Sequence, residues 1–133
     1  MSADSIEYKF VGSVYAGFPS PAADYMEEGI DLKKYLQPNP TSIYIARVDG
    51  DSMVNSHIPD KSIVVIDKSL APHNGSIVIA TLNGEKLIKQ FVKTHTGLFL
   101  SSSNPQYKPI KVLPEMEFSI WGVVTHVIVK LVK

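Results

Sequence analysis

The 133 residues suffice for one hydrophobic core and are too few for two generous ones. Thirteen lysines and arginines balance thirteen aspartates and glutamates, which argues against a surface built to coat nucleic acid or an anionic membrane. With no cysteine, disulfides, thiolate metal sites and cysteine nucleophiles drop out together.

The first ten residues carry Asp4 and Glu7 and no apolar run, unlike a secretory leader, and no later run is long enough to span a bilayer. The expected setting is the cytoplasm, with no membrane partner. Residues 1–16 read as an arm outside the domain. Gly17-Phe18-Pro19-Ser20-Pro21 follows, and its glycine and two prolines discourage regular structure. One short helix is predicted, capped by Asp31, running through Lys33, Lys34, Tyr35 and Leu36, and ended by Pro38 and Pro40.

From Ile43 onward, short β-branched and aromatic runs alternate with turn residues, which predicts a mainly β fold. The strands are expected at 43–48, 63–67, 76–82, 85–93, 97–102 and 117–129. Asn83-Gly84 joins two of them as a hairpin, because both central residues of a type I′ turn need positive φ. No helix-turn-helix pattern is present, so direct sequence-specific DNA binding is not expected.

Gly50-Asp51-Ser52-Met53 follows the 43–48 strand directly. A serine at a strand end, beside a glycine where the backbone can turn, is where an exposed nucleophile sits. A serine there also suits plain turn capping. Lys89 carries more information: its neighbours two residues away are Leu87 and Phe91, so alternation places it on an apolar face, with Lys86 and Gln90 on the other. Burial disfavours the ammonium, lowers the pKa, and leaves an amine able to take a serine proton. The competing reading is a lysine that snorkels to solvent from a sheet edge.

Four histidines, His57, His73, His95 and His126, are alternative bases, but they read as turn, surface or sheet residues. They show no pairing that suits a metal ligand set, and neither a metal site nor a cofactor is predicted.

Several segments taken together resemble a known family. They are Ala16-Gly17-Phe18-Pro19-Ser20-Pro21-Ala22-Ala23-Asp24-Tyr25, Gly50-Asp51-Ser52-Met53, Gly84-Glu85 leading to Lys89, Asn104 with Tyr107 and Pro109-Ile110, and Gly122-Val123-Val124-Thr125-His126-Val127. In this order they resemble the UmuD-type family of self-cleaving serine–lysine peptidases, related to the LexA repressor. The resemblance implies a compact β-rich protease domain with a flexible N-terminal arm. It places the nucleophile on Ser52, the general base on Lys89 and the cleaved bond at Ala16-Gly17, dividing the chain into 1–16 and 17–133. The backbone amides of Ser52 and Met53 are then the expected oxyanion donors.

The resemblance also implies a homodimer, stimulation of cleavage by a RecA filament on single-stranded DNA, and a product that joins a UmuC-like Y-family polymerase for translesion synthesis. One departure stands out: Asp60-Lys61-Ser62 occupies the place where related sequences read Asp-Gly-Asp, so a less acidic turn without the glycine conformation is expected. Three other readings compete. One is a LexA-like or phage repressor protease domain lacking its DNA-binding half, and another a signal peptidase, for which no membrane anchor is seen. The third is a noncatalytic β-barrel binder of single-stranded nucleic acid, which calls for aromatics interleaved with basic residues on one face.

Overall fold

The structure, a computed structural model, describes residues 6–14, 16–17 and 27–132. The chain divides into two compact units, residues 1–38 and 39–133.

In the first unit, strand β1 (Glu7–Phe10) pairs antiparallel with β2 (Glu27–Asp31), Tyr8 facing Ile30. Helix α1 (Leu32–Leu36) follows at once. Asp31 caps it as expected: its carboxylate accepts from the Lys34 amide at 3.2 Å, satisfying one of the amides that a helix start leaves unpaired. Neither strand was anticipated from the sequence. Glu27-Glu28-Gly29 is depleted in strand-forming residues, so it becomes a strand through its pairing with β1 rather than by propensity.

The second unit is built on a seven-stranded sheet of β3 (Ile43–Arg47), β4 (Ile63–Asp67), β5 (Ile77–Leu82), β6 (Glu85–Thr94), β7 (Gly97–Ser101), β8 (Ile110–Lys111) and β9 (Phe118–Ile128). Its spatial order is β3-β4-β9-β5-β6-β7-β8. Six of these strands lie where the β-branched runs predicted them, within a residue at most ends. The two-residue β8 went unrecognised because so short a segment carries no alternation to read. The β5–β6 connection is the expected tight hairpin, Leu82 opposite Glu85, with Asn83 at φ 50° and Gly84 at φ 86°.

Successive residues of a strand point to opposite faces, so the sheet holds two apolar clusters. Val48, Met53, Ile58, Val64, Ile66 and Ile79 form one, and Val78, Ala80, Leu100 and Val123 the other. Ile58, Ile66 and Leu100 are at most 1% exposed, and burying each such side chain stabilises by roughly 1.5–3 kcal/mol. β4 is nearly continuous in burial, because β3 and β9 flank it on both sides.

The turn before β4 corrects one expectation. Lys61 stands at φ 71°, so the left-handed conformation expected to vanish with glycine is kept by a lysine. Its amide donates to the Val48 carbonyl at 2.7 Å, and the Ser62 amide to the Pro59 carbonyl at 3.2 Å. The Lys61 ammonium lies 2.6 Å from the Asp49 carboxylate, which holds the Asp49 pKa below and the Lys61 pKa above their ordinary values. The turn is thus held by tertiary hydrogen bonds at the cost of local strain.

Candidate active site

β3 delivers the chain to Val48, which is buried, and then to the loop that carries Ser52. Gly50 sits at φ 106°, where no neighbour lies within 4 Å of an added Cβ. The backbone conformation, not crowding, therefore calls for glycine there. Its amide donates to the Asp60 carboxylate at 2.7 Å. After Ser52, the Met53 side chain is 1% exposed in the core and a single 3-10 turn, Val54–Ser56, follows. Ser52 is held between a turned glycine and a buried anchor.

A second loop clamps the first. The Asn104 amide donates to the Ser52 carbonyl at 3.0 Å, and its side-chain nitrogen to the Asp51 carbonyl at 3.2 Å. The Asn55 side chain donates to the Ser103 carbonyl at 2.9 Å. The Tyr107 hydroxyl donates to the Asp51 carboxylate at 2.7 Å, and that carboxylate pushes the phenol pKa up, keeping its proton in place. Four contacts across some fifty residues of chain make the nucleophile loop a product of the fold.

Lys89 stands on β6 opposite Val78 of β5. Its side chain is 9% exposed. The ammonium nitrogen lies 3.3 Å from Ser52 Oγ and 2.8 Å from Ser102 Oγ, and 5.4 Å from the centre of the Tyr107 ring. Burial pushes the amine below its ordinary 10.5, since the charged form loses more solvation than the neutral one. Ser52 and Lys89 both open on a cleft of ≈ 300 Å³, lined also by Val48, Val64, Ile79 and Ile88. A neutral amine in contact with a serine hydroxyl beside a partly apolar cleft can act as a base toward that hydroxyl.

Among the described residues, no hydrogen bond uses the amides of Ser52 and Met53 as donors. Ala16 and Gly17 lie in the first unit, exposed and in a bend. Residues 18–26, which carry the rest of the expected cleavage segment, lie outside the described residues. His57, His73 and His95 are exposed, and His126 Nδ1 lies 2.9 Å from Thr125 Oγ1. Among the described residues no group of three histidines, aspartates or glutamates is arranged to hold a metal ion, and no helix is long and apolar enough to cross a membrane.

Ser102 was missed in the sequence, although a signal existed. The short turn between β6 and β7 sets a register in which Gln90 faces Ser101, and one step beyond it the side chains of Lys89 and Ser102 meet.

The chain matches the family described as Peptidase S24-like over residues 9–125. It is 36% identical to Protein ImpA of Salmonella typhimurium over 120 residues, covering 90% of this chain and 81% of that protein. Protein SamA of the same organism is 41% identical over 115 residues, covering 86% and 79% of the two chains. The LexA repressor of Acidothermus cellulolyticus is 34% identical over 128 residues, 96% of this chain and 45% of the repressor. With the family match and relatives of this similarity spanning nearly the whole chain, this protein belongs to the Peptidase S24-like family, the group to which the UmuD-type resemblance pointed.

Proposed function

We propose that this chain is a self-cleaving serine peptidase of the SOS DNA-damage response that cuts its own bond between Ala16 and Gly17. The observation that carries the reading is the contact between a buried lysine and a cleft serine, Lys89 Nζ to Ser52 Oγ at 3.3 Å. Neutral Lys89 takes the Ser52 proton as Oγ bonds to the Ala16 carbonyl carbon, and the Ser52 and Met53 amides hold the oxyanion. The resulting ammonium returns the proton to the Gly17 nitrogen as the peptide bond breaks. Water then hydrolyses the acyl-serine and frees the arm. Because enzyme and substrate share a chain, or two copies of it, little entropy is lost in bringing them together. Control therefore lies in access of the bond to the serine.

Family membership and the similarity to ImpA, SamA and LexA support the wider setting. In it, a cytoplasmic homodimer is stimulated by a RecA filament on single-stranded DNA, and the product, residues 17–133, joins a UmuC-like Y-family polymerase for translesion synthesis. The test is to incubate the purified chain with RecA, nucleoside triphosphate and single-stranded DNA, then weigh the products. A product starting at Gly17 is expected. Ser52→Ala and Lys89→Ala should stay intact, and Lys93→Ala, altered at an exposed lysine further along the same strand, should cut. A new terminus elsewhere, or cleavage by the Ser52→Ala protein, overturns the assignment.

A further inference from the structure

We infer that Ser102 is a positioning residue for the base: its hydroxyl holds one N–H of Lys89 so that the amine's lone pair faces Ser52. The inference deepens the proposed peptidase reading and rests on it. The two serine contacts are unequal, 2.8 Å to Ser102 against 3.3 Å to Ser52, so Ser102 is the better-formed partner. A neutral amine has two donors and a single acceptor lone pair. If Ser102 Oγ accepts one N–H, rotation about the last carbon–nitrogen bond is fixed and the lone pair is confined to the two remaining positions, one of which faces Ser52. Without that contact the amine can spin and present an N–H to Ser52, an arrangement in which it cannot accept the serine proton.

The roles of the two hydroxyls are separable by place. Ser52 lines the cleft, whereas Ser102 is not among its lining residues. Ser102 is instead held by the sheet. The β6–β7 pairing ends at Gln90–Ser101, and the residues one step beyond it, Lys89 and Ser102, meet through their side chains at 2.8 Å. On its C-terminal side, Ser103 and Asn104 are bound to Asn55, Asp51 and Ser52. The hydroxyl that orients the base and the hydroxyl that attacks thus sit on two loops tied to each other.

The same contact acts during the reaction. When the Ser52 O–H bond breaks and a new N–H bond forms on Lys89, the ammonium keeps one N–H on Ser102 Oγ. A hydrogen bond to a charged donor is stronger than one to a neutral donor, so Ser102 favours the protonated amine in both the resting and the reacting protein. Among the described residues, the charged and titratable groups around the amine are few. The Tyr107 ring and, through its hydroxyl, Asp51 approach from the two loops, while Arg47 and Asp49 of β3 and its following loop, with Lys86 of β6, line the cleft. Burial holds the Lys89 pKa below its ordinary value, and the contact with Ser102 works against that displacement.

The experiment has two arms. In the Ser52→Ala protein, which stays intact, the Lys89 side chain is titrated by NMR on labelled lysine, with Lys89→Arg to assign the signal. Adding Ser102→Ala should lower the titration midpoint, and Ser102→Thr, which keeps a hydroxyl, should hold it. In the protein with Ser52 intact, Ser102→Ala should lower the plateau rate of self-cleavage by about tenfold, the size of one lost hydrogen bond. Its pH midpoint should fall as well, although more of the base is neutral at neutral pH, and Ser102→Thr should restore the rate. A midpoint unmoved by Ser102→Ala overturns the inference, as does an unchanged rate. Cleavage that survives Ser52→Ala and is lost with Ser102→Ala overturns it too, by making Ser102 the nucleophile. If the intact chain never cuts while the midpoint still falls, the self-cleavage reading fails and the hold of Ser102 on the amine stands.

Discussion

Replacing Lys89 by methionine should make the protein more stable near neutral pH, although it removes the proposed base. The comparison is made in the Ser52→Ala background, so that every chain stays intact. Methionine keeps a long unbranched side chain and gives up one hydrogen bond, the 2.8 Å contact to Ser102, at a cost of about 1 kcal/mol. Against this, replacing buried charged groups by apolar ones of similar volume has gained about 1–4 kcal/mol elsewhere, and active sites hold such unfavourable groups for function. The net expectation is a gain of about 1–2 kcal/mol at pH 7, or a melting temperature higher by several degrees.

The dependence on pH supplies the sharper check. Folding lowers the Lys89 pKa below its ordinary 10.5, so between the two values the unfolded chain binds more protons than the folded one. Stability of the lysine protein therefore rises with pH through that window, and the lysine's disadvantage is gone once both states are neutral above about 10.5. The methionine variant lacks this linkage. Urea unfolding followed by circular dichroism from pH 7 to about 10.5 should show the gap between the two proteins closing as pH rises. A methionine variant less stable than its parent at pH 7, or a gap that ignores pH, refutes the account of Lys89 as a desolvated amine.

Lys61→Gly should stabilise the protein by up to about 1 kcal/mol, since relief of the left-handed strain at φ 71° exceeds the added freedom of the unfolded chain. The exposed contact to Asp49 that is lost contributes little, and a lower urea midpoint would contradict this. Leu100→Ala, at a side chain with no exposure in the second apolar cluster, should cost about 2–5 kcal/mol in the same assay. A loss under 1 kcal/mol would mean that this cluster packs loosely.

The sequence alone determined the features that depend on near neighbours. Alternation and turn chemistry located six strands, because a side chain's face depends only on its parity along the strand. The Asp31 cap and the Asn83-Gly84 turn were legible for the same reason, each being a matter of two to four adjacent residues. The burial of Lys89 could be anticipated from Leu87 and Phe91. The tertiary structure decided what depends on residues far apart. Strand β2 forms in a segment whose own propensity opposes it, and Lys61 occupies a left-handed conformation because Val48 and Asp49 hold it there. Above all, the contact of Lys89 with Ser52 spans 37 positions, and that of Asp51 with Tyr107 spans 56. No local pattern encodes such distances, because they follow from the strand order β3-β4-β9-β5-β6-β7-β8, which emerges only when the apolar faces of all seven strands are buried together.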